Sequence, residues 1–245
     1  MVGRWPSRDL CAALLYAAFL AGYGNVFNLL VARAPTHRRT MLGVAGPLML
    51  VATVLAWHRR GAQPAWAGLG LHRQRWRSGL VWGALAGTAL AVPPVLFFRP
   101  SHRKGAAVRF NEVHGIGRRA LLHRLLVTTP VLVAFAEEVA FRGFLQSKLQ
   151  QALPTRPLVA VTLSSLTFAL WHVAVNVRTL RETNVVTGGL APQPVALAGG
   201  LLSVFAGGLI FGGLYQRSGS LVGPVMSHWL VDALMLLALY FQSAE

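Results

Sequence analysis

The chain is built on apolar runs of about 20 residues, and that property confines it to a helical membrane fold. Candidate spans lie at 10–32, 41–57, 78–97, 121–147, 157–176, 195–215 and 221–241. The second is short and reads as re-entrant or tilted. With 54% hydrophobic residues, little sequence remains between the runs for a soluble domain. The expected architecture is all-α: a polytopic membrane protein of about seven transmembrane helices enclosing a polar cavity. Arg4 and Arg8 precede the first run, and Ala17-Ala18 imitate a signal-peptide end. The run nevertheless continues to Val31-Ala32, beyond a signal-peptide core, so it reads as a retained helix.

The formal net charge of +16 comes from 23 Lys+Arg, nearly all Arg, placed between the runs. The densest cluster, Arg99–Arg119, includes Arg103, Lys104, Arg109 and Arg118 and reads as a loop lying on anionic head groups. No nucleic-acid motif accompanies it, so nucleic acid is not an expected partner. Lys and Arg divide almost evenly between the two sides of the membrane, and the positive-inside rule sets no orientation. The single cysteine, Cys11, excludes a disulfide framework within the chain.

Against this background stands Ala136-Glu137-Glu138-Val139-Ala140-Phe141-Arg142-Gly143. The chain has only 7 Asp+Glu, and two are adjacent here within an apolar run. A charged residue at the centre of a membrane helix costs roughly 2.5–3.5 kcal/mol on insertion scales, so this trio would cost on the order of 8–10 kcal/mol. Such residues are read first as a functional site. Glu138 and Arg142 stand at i,i+4 with the acid first, the favourable order for a helical ion pair. Glu137 lies about 100° around the helix, without a local cation, and is a candidate general base or acid.

Two further helices carry imidazoles. Phe168 and His172 share a helix face, so the ring can pack on the imidazole. His228 and Asp232 stand at i,i+4, where the carboxylate can take one ring N–H and fix the tautomer. Polar residues of interest all lie after residue 120; the first half reads as scaffold, with Trp5, Trp57, Trp66, Trp76 and Trp82 near span ends. In the sixth run Gly208 and Gly212 form a small-xxx-small pair for close helix approach, and Gly219, Gly223 and Pro224 mark the turn into the last helix.

In this order, Glu137-Glu138-x-x-x-Arg142, Phe168-x-x-x-His172 and His228-x-x-x-Asp232 resemble the motifs of the CPBP intramembrane proteases. These include type II CAAX prenyl endopeptidases and bacteriocin-processing or abortive-infection proteins. The resemblance covers roughly 120–241 and divides the chain into a scaffold with a basic loop, 1–119, and a catalytic core, 120–245. It implies a water-filled cavity, with Glu137 as catalytic glutamate supported by Glu138 and Arg142. It further implies that His172 positions water and that His228 and residue 232 lie near the substrate carbonyl. The family often has Asn at the last position. Ionised Asp232 cannot donate to an oxyanion, so it would stay protonated, orient His228 or ligate a metal.

The reaction expected is intramembrane peptide hydrolysis by glutamate-activated water. Glu137, His172 and His228 would be the ligands of a divalent metal such as zinc, if one assists. Neither HExxH nor GxSxG is present, and Ser227 is merely adjacent to His228. Two other classes compete: a non-catalytic scaffold or immunity-type protein, and an ion- or proton-coupled transporter. The sequence shows no inverted repeat to support the transporter. The expected partners are the lipid bilayer and a membrane-anchored protein substrate, cleaved in its C-terminal tail. The Arg- and Ala-rich composition suggests a high-GC bacterium and its cytoplasmic membrane.

Overall fold

Every long apolar run folds as a helix. The computed structural model describes residues 8–58, 69–71, 76–98, 110, 113, 115–187 and 191–243. Its helices are α1 (Arg8–Arg33), α2 (Thr36–His58), α3 (Trp76–Phe98), α4 (Arg118–Ala152), α5 (Pro157–Trp171), α6 (Val173–Glu182), α7 (Gln193–Ser218) and α8 (Val222–Ser243). No strand forms among the described residues; Phe110 and Thr183 make an isolated antiparallel bridge. Six helices are long and apolar enough to cross a membrane, or seven if α5 and α6 count as one bent span. The chain is therefore an integral membrane protein. Arg103, Lys104 and Arg109 of the basic loop, with Trp5 and Trp66, lie outside the described residues.

Three expected spans differ from what forms. The second is not short: α2 runs for 23 residues, because helix continues through polar Thr36–Thr40, where water and head groups can take the free N–H groups. The fourth extends to 35 residues. The fifth is not one helix through residue 176, since it stops at Trp171 and restarts at Val173 with a 42° bend. His172 sits at that break with φ −91° and ψ 7°, in the sparsely allowed bridge region.

The interior gathers around α4, whose residues Val139–Gln146 are all buried. This helix is π-helical over Arg124–Phe135 and Val139–Gln146, on either side of three α-helical residues, Ala136–Glu138. π turns concentrate at functional sites. Aromatic contacts bind the neighbours to α4: Phe144 meets Tyr16 of α1 edge-on at 4.6 Å, and Phe141 meets Trp171 of α5 at 5.5 Å. Large apolar side chains such as Leu15, Met41, Leu158 and Leu202 point outward, as expected of faces that meet lipid.

Two glycine rows let helices approach closely. The small-xxx-small pair of α7 packs as its spacing suggests, with Gly208 against Ser165 and Gly212 against Gln146 and Val161. A second row, Gly79, Gly83 and Gly87 on α3, presses against Val222–Leu230 of α8. A Cβ on Gly83 would lie 2.5 Å from the carbonyl oxygen of Gly223. At the end of α7, Gly219 adopts φ 65°, a left-handed cap that turns the chain into α8. Trp229 of α8 donates its indole N–H to the carbonyl of Leu125 at 2.7 Å, fixing α8 against α4.

Candidate active site

The site is a column of polar groups held by α4, α5, α7 and α8. At its base Glu138 and Arg142 are completely buried, and Arg142 Nη1–H donates to Glu138 Oε1 at 2.9 Å. The i,i+4 spacing places these two side chains on one helix face. Arg142 Nη2–H donates to the carbonyl of Gly208 on α7 at 3.1 Å. Its guanidinium also lies over the rings of Phe168 (4.4 Å) and Phe211 (5.3 Å), and π faces offer a cation some compensation for lost water.

The same Glu138 Oε1 accepts from His228 Nδ1–H at 2.9 Å. A carboxylate paired with a guanidinium only accepts, so the proton must sit on Nδ1. The sequence pointed to Asp232 as the partner that fixes this ring. Glu138, from another helix, makes the close bond; Asp232 Oδ2 stands 3.5 Å from Nε2. The other imidazole is fixed similarly: His172 Nδ1–H donates to the carbonyl of Phe168 at 2.8 Å. The expected stacking partner is present too, with Phe168 edge-on to His172 at 4.6 Å.

With both Nδ1 atoms occupied, both Nε2 atoms turn toward Glu137. Its Oε2 is 3.7 Å from His172 Nε2 and 4.0 Å from His228 Nε2. Both distances exceed a hydrogen bond, and this oxygen, though buried, has no hydrogen-bond partner. An orphaned carboxylate oxygen facing two ring nitrogens is suited to receive a small polar group. Exposure rises along the column, from 0% at Glu138 and Arg142 to 12% at Glu137, 14% at His172 and 36% at Asp232. Asp232 therefore marks the open end.

The donor types suit zinc chemistry, and Glu137 Oε2 is free to ligate. The spacing does not suit it: among the described residues, no group of three His, Cys, Asp or Glu side chains is placed to hold a metal ion. An apolar cavity of about 210 Å³ is lined by Pro130, Phe135, Leu221, Val225, Met226 and Trp229, among others, and by none of the six side chains of the column.

Sequence reasoning missed Phe211 and Asn25. Phe211 stacks on His228 at 5.2 Å, besides covering Arg142. Its signal was a large ring between two glycine pairs of α7, one of three aromatic residues in that helix. Asn25 of α1 bonds to both sides of the break at His172, and its signal was an amide inside an apolar run.

A multi-helix membrane protein with a buried Glu-Glu-Arg, His and His-Asp column has the form of an intramembrane hydrolase. Residues 120–234 match the family model described as type II CAAX prenyl endopeptidase Rce1-like, and all six side chains of the column fall within the match. This segment belongs to that family, as the resemblance to the CPBP proteases implied. At family level these are CAAX-type intramembrane proteases acting on membrane-associated peptides. No curated protein and no solved structure matches the chain.

Proposed function

We propose that the protein is an endopeptidase that cleaves a membrane-anchored protein near its C-terminal tail, in a bacterial cytoplasmic membrane, using water activated by Glu137. The observation that carries this reading is the convergence of two tautomerically fixed imidazoles on the unbonded Oε2 of Glu137.

In the first step a water gives one hydrogen bond to Glu137 Oε2 and the other to His172 Nε2, which directs its lone pair at the scissile carbonyl carbon. As the C–O bond forms, Glu137 takes the water proton. The oxyanion is met by His228, which donates from Nε2 once that nitrogen carries a proton. Glu138 at Nδ1 and Asp232 beside Nε2 then supply the imidazolium with counter-charges. The C–N bond breaks as Glu137 returns its proton to the leaving amine. The products are a new carboxylate and a new amine terminus. Asp232 serves as counter-charge, not as an oxyanion donor. The metal expected on Glu137, His172 and His228 would supply an acidified water, but their spacing does not fit one, and the steps above use none.

The test compares protein termini in host membranes carrying the wild type or Glu137→Gln at equal expression. New termini with the wild type alone support a protease and give its cleavage site. Identical termini, with any host phenotype kept by Glu137→Gln, would leave a binding or scaffolding protein.

A further inference from the structure

In an unbroken helix the N–H of Ala174 would donate to the carbonyl of Leu170. At the α5–α6 break the amide of Asn25 takes the place of that bond. Its Nδ2–H donates to Leu170 O at 2.7 Å, and the N–H of Ala174 donates to its Oδ1 at 2.7 Å. The carbonyl can only accept and the N–H only donate, which fixes the orientation of the amide. The second Nδ2 hydrogen goes to Ala21 O at 2.7 Å, within α1. A side chain inserted into the i→i−4 ladder is a recognised cause of a sharp kink, and this kink of 42° has no proline or glycine at residues 170–174 to explain it.

Adjacent residues of α1 reinforce the grip. Gly24 leaves the space that the Trp171 ring fills, since a Cβ there would overlap it. Tyr23 stacks on the same ring at 5.7 Å. Tyr23, Gly24 and Asn25 thus hold the two residues before His172 and the second residue after it. Between them His172 adopts its bridge-region conformation, while its own carbonyl accepts from the backbone N–H of Asn176 at 2.9 Å. The direction of its ring, and hence the 3.7 Å approach of Nε2 to Glu137, depends on where the ladder is interrupted.

We propose that Asn25 is a positioning residue: by splicing its amide into the helix at the Leu170–Ala174 step, it sets the break that aims His172 Nε2 at Glu137. This rests on the reading of His172 as the residue that orients the water. Asn25 lies outside the matched segment, 120–234, so the family match assigns it nothing. The first helix is then part of the reaction machinery as well as a scaffold.

The test reads His172 directly. Full-length protein with ¹⁵N-labelled histidine is placed in lipid nanodiscs, and the His172 ring signals are assigned with His172→Gln. In otherwise wild-type protein, Glu137→Gln shifts the His172 Nε2 resonance. In the Asn25→Leu background that response is expected to vanish, while the His228 signals persist. Asn28→Leu is the control, because among the described residues the Asn28 amide bonds to Gly24 O within α1 and not across the break, and it keeps the response. On the cleavage site given by the termini comparison, Asn25→Leu lowers kcat on the order of tenfold to a hundredfold with KM within about twofold, the pattern of misplacement without lost binding. If Asn25→Leu does not fold, Asn25→Asp replaces it; this variant keeps the acceptor for Ala174 and loses the donor to Leu170, and the same loss of response is expected. A His172 response unchanged in whichever variant folds overturns the proposal. The resonance needs no substrate: failure of the protease reading shows as unchanged termini, whereas failure of the Asn25 role shows as an unchanged ring signal.

Discussion

Glu138 and Arg142 provide a sharp test of how this interior is held. Glu138→Gln keeps the shape and the Oε1 acceptor, but it leaves the buried guanidinium without a counter-charge. Arg142→Met removes the cation and leaves the carboxylate. Breaking a buried pair from one side destabilises by about 3–5 kcal/mol, most of it the penalty of the unpaired charge. The double variant has no unpaired charge. It still loses the Arg142 bond to Gly208 O, about 1.5–3 kcal/mol for a charged donor, and the ring contacts with Phe168 and Phe211, about 0.5–2 kcal/mol. Its total is about 2–5 kcal/mol, against about 6–10 kcal/mol if the two single effects added. A coupling of at least about 1 kcal/mol is therefore expected from a double-mutant cycle, measured by steric-trap unfolding in bicelles. Effects additive to within about 0.5 kcal/mol would refute the reasoning, since the two charges would then not be compensating one another.

Gly83→Val should destabilise by about 1–3 kcal/mol in the same assay, because its Cβ meets the backbone of α8, whereas Gly213→Ala, open at that position, should stay within about 0.5 kcal/mol; equal effects would contradict the tight α3–α8 contact. Asp232→Asn should lower kcat by about tenfold or less, because Glu138 already fixes His228; a loss of a thousandfold or more would give Asp232 a direct part in the chemistry. Since Glu137, His172 and His228 are not spaced as a metal set, a chelator should leave cleavage unchanged; inhibition reversed by added zinc would move the mechanism to a metal-bound water.

What the sequence disclosed is what local spacing can carry. Polar side chains are conspicuous in an apolar chain, and i,i+4 offsets on a helix are nearly a contact statement. So the Glu138–Arg142 pair and the Phe168–His172 packing were both legible. The small-xxx-small pair of α7 was legible for the same reason. The bond between Glu138 and His228 spans 90 positions and has no local signature. The break at His172 was read as continuous helix because no proline or glycine marks it; the Asn25 amide that bonds across it lies on α1, 147 residues upstream of the histidine, in a run read as scaffold. Gly79, Gly83 and Gly87 were passed over because a glycine row states that something approaches, not what does.

The ion pair also shows why so acid-poor a chain keeps charge at the centre of its membrane domain. Arg142 and Glu138 together touch four helices: α4 itself, α5 through Phe168, α7 through Gly208 and Phe211, and α8 through His228. Stability alone does not explain them, since well-packed apolar residues in place of a buried pair are often as stable or more so. An apolar replacement could fill the space, but it could not accept a hydrogen bond from His228 Nδ1, and that bond is what ties the imidazole to α4. The pair is thus best understood as fixing which face of His228 meets the reacting atoms. On this argument Glu138→Leu/Arg142→Met folds in the membrane and loses cleavage, because stability recovers with the charges removed in concert while the hold on the imidazole does not. Cleavage by the folded double variant at the wild-type rate would separate the ion pair from the chemistry and leave it as a packing device alone.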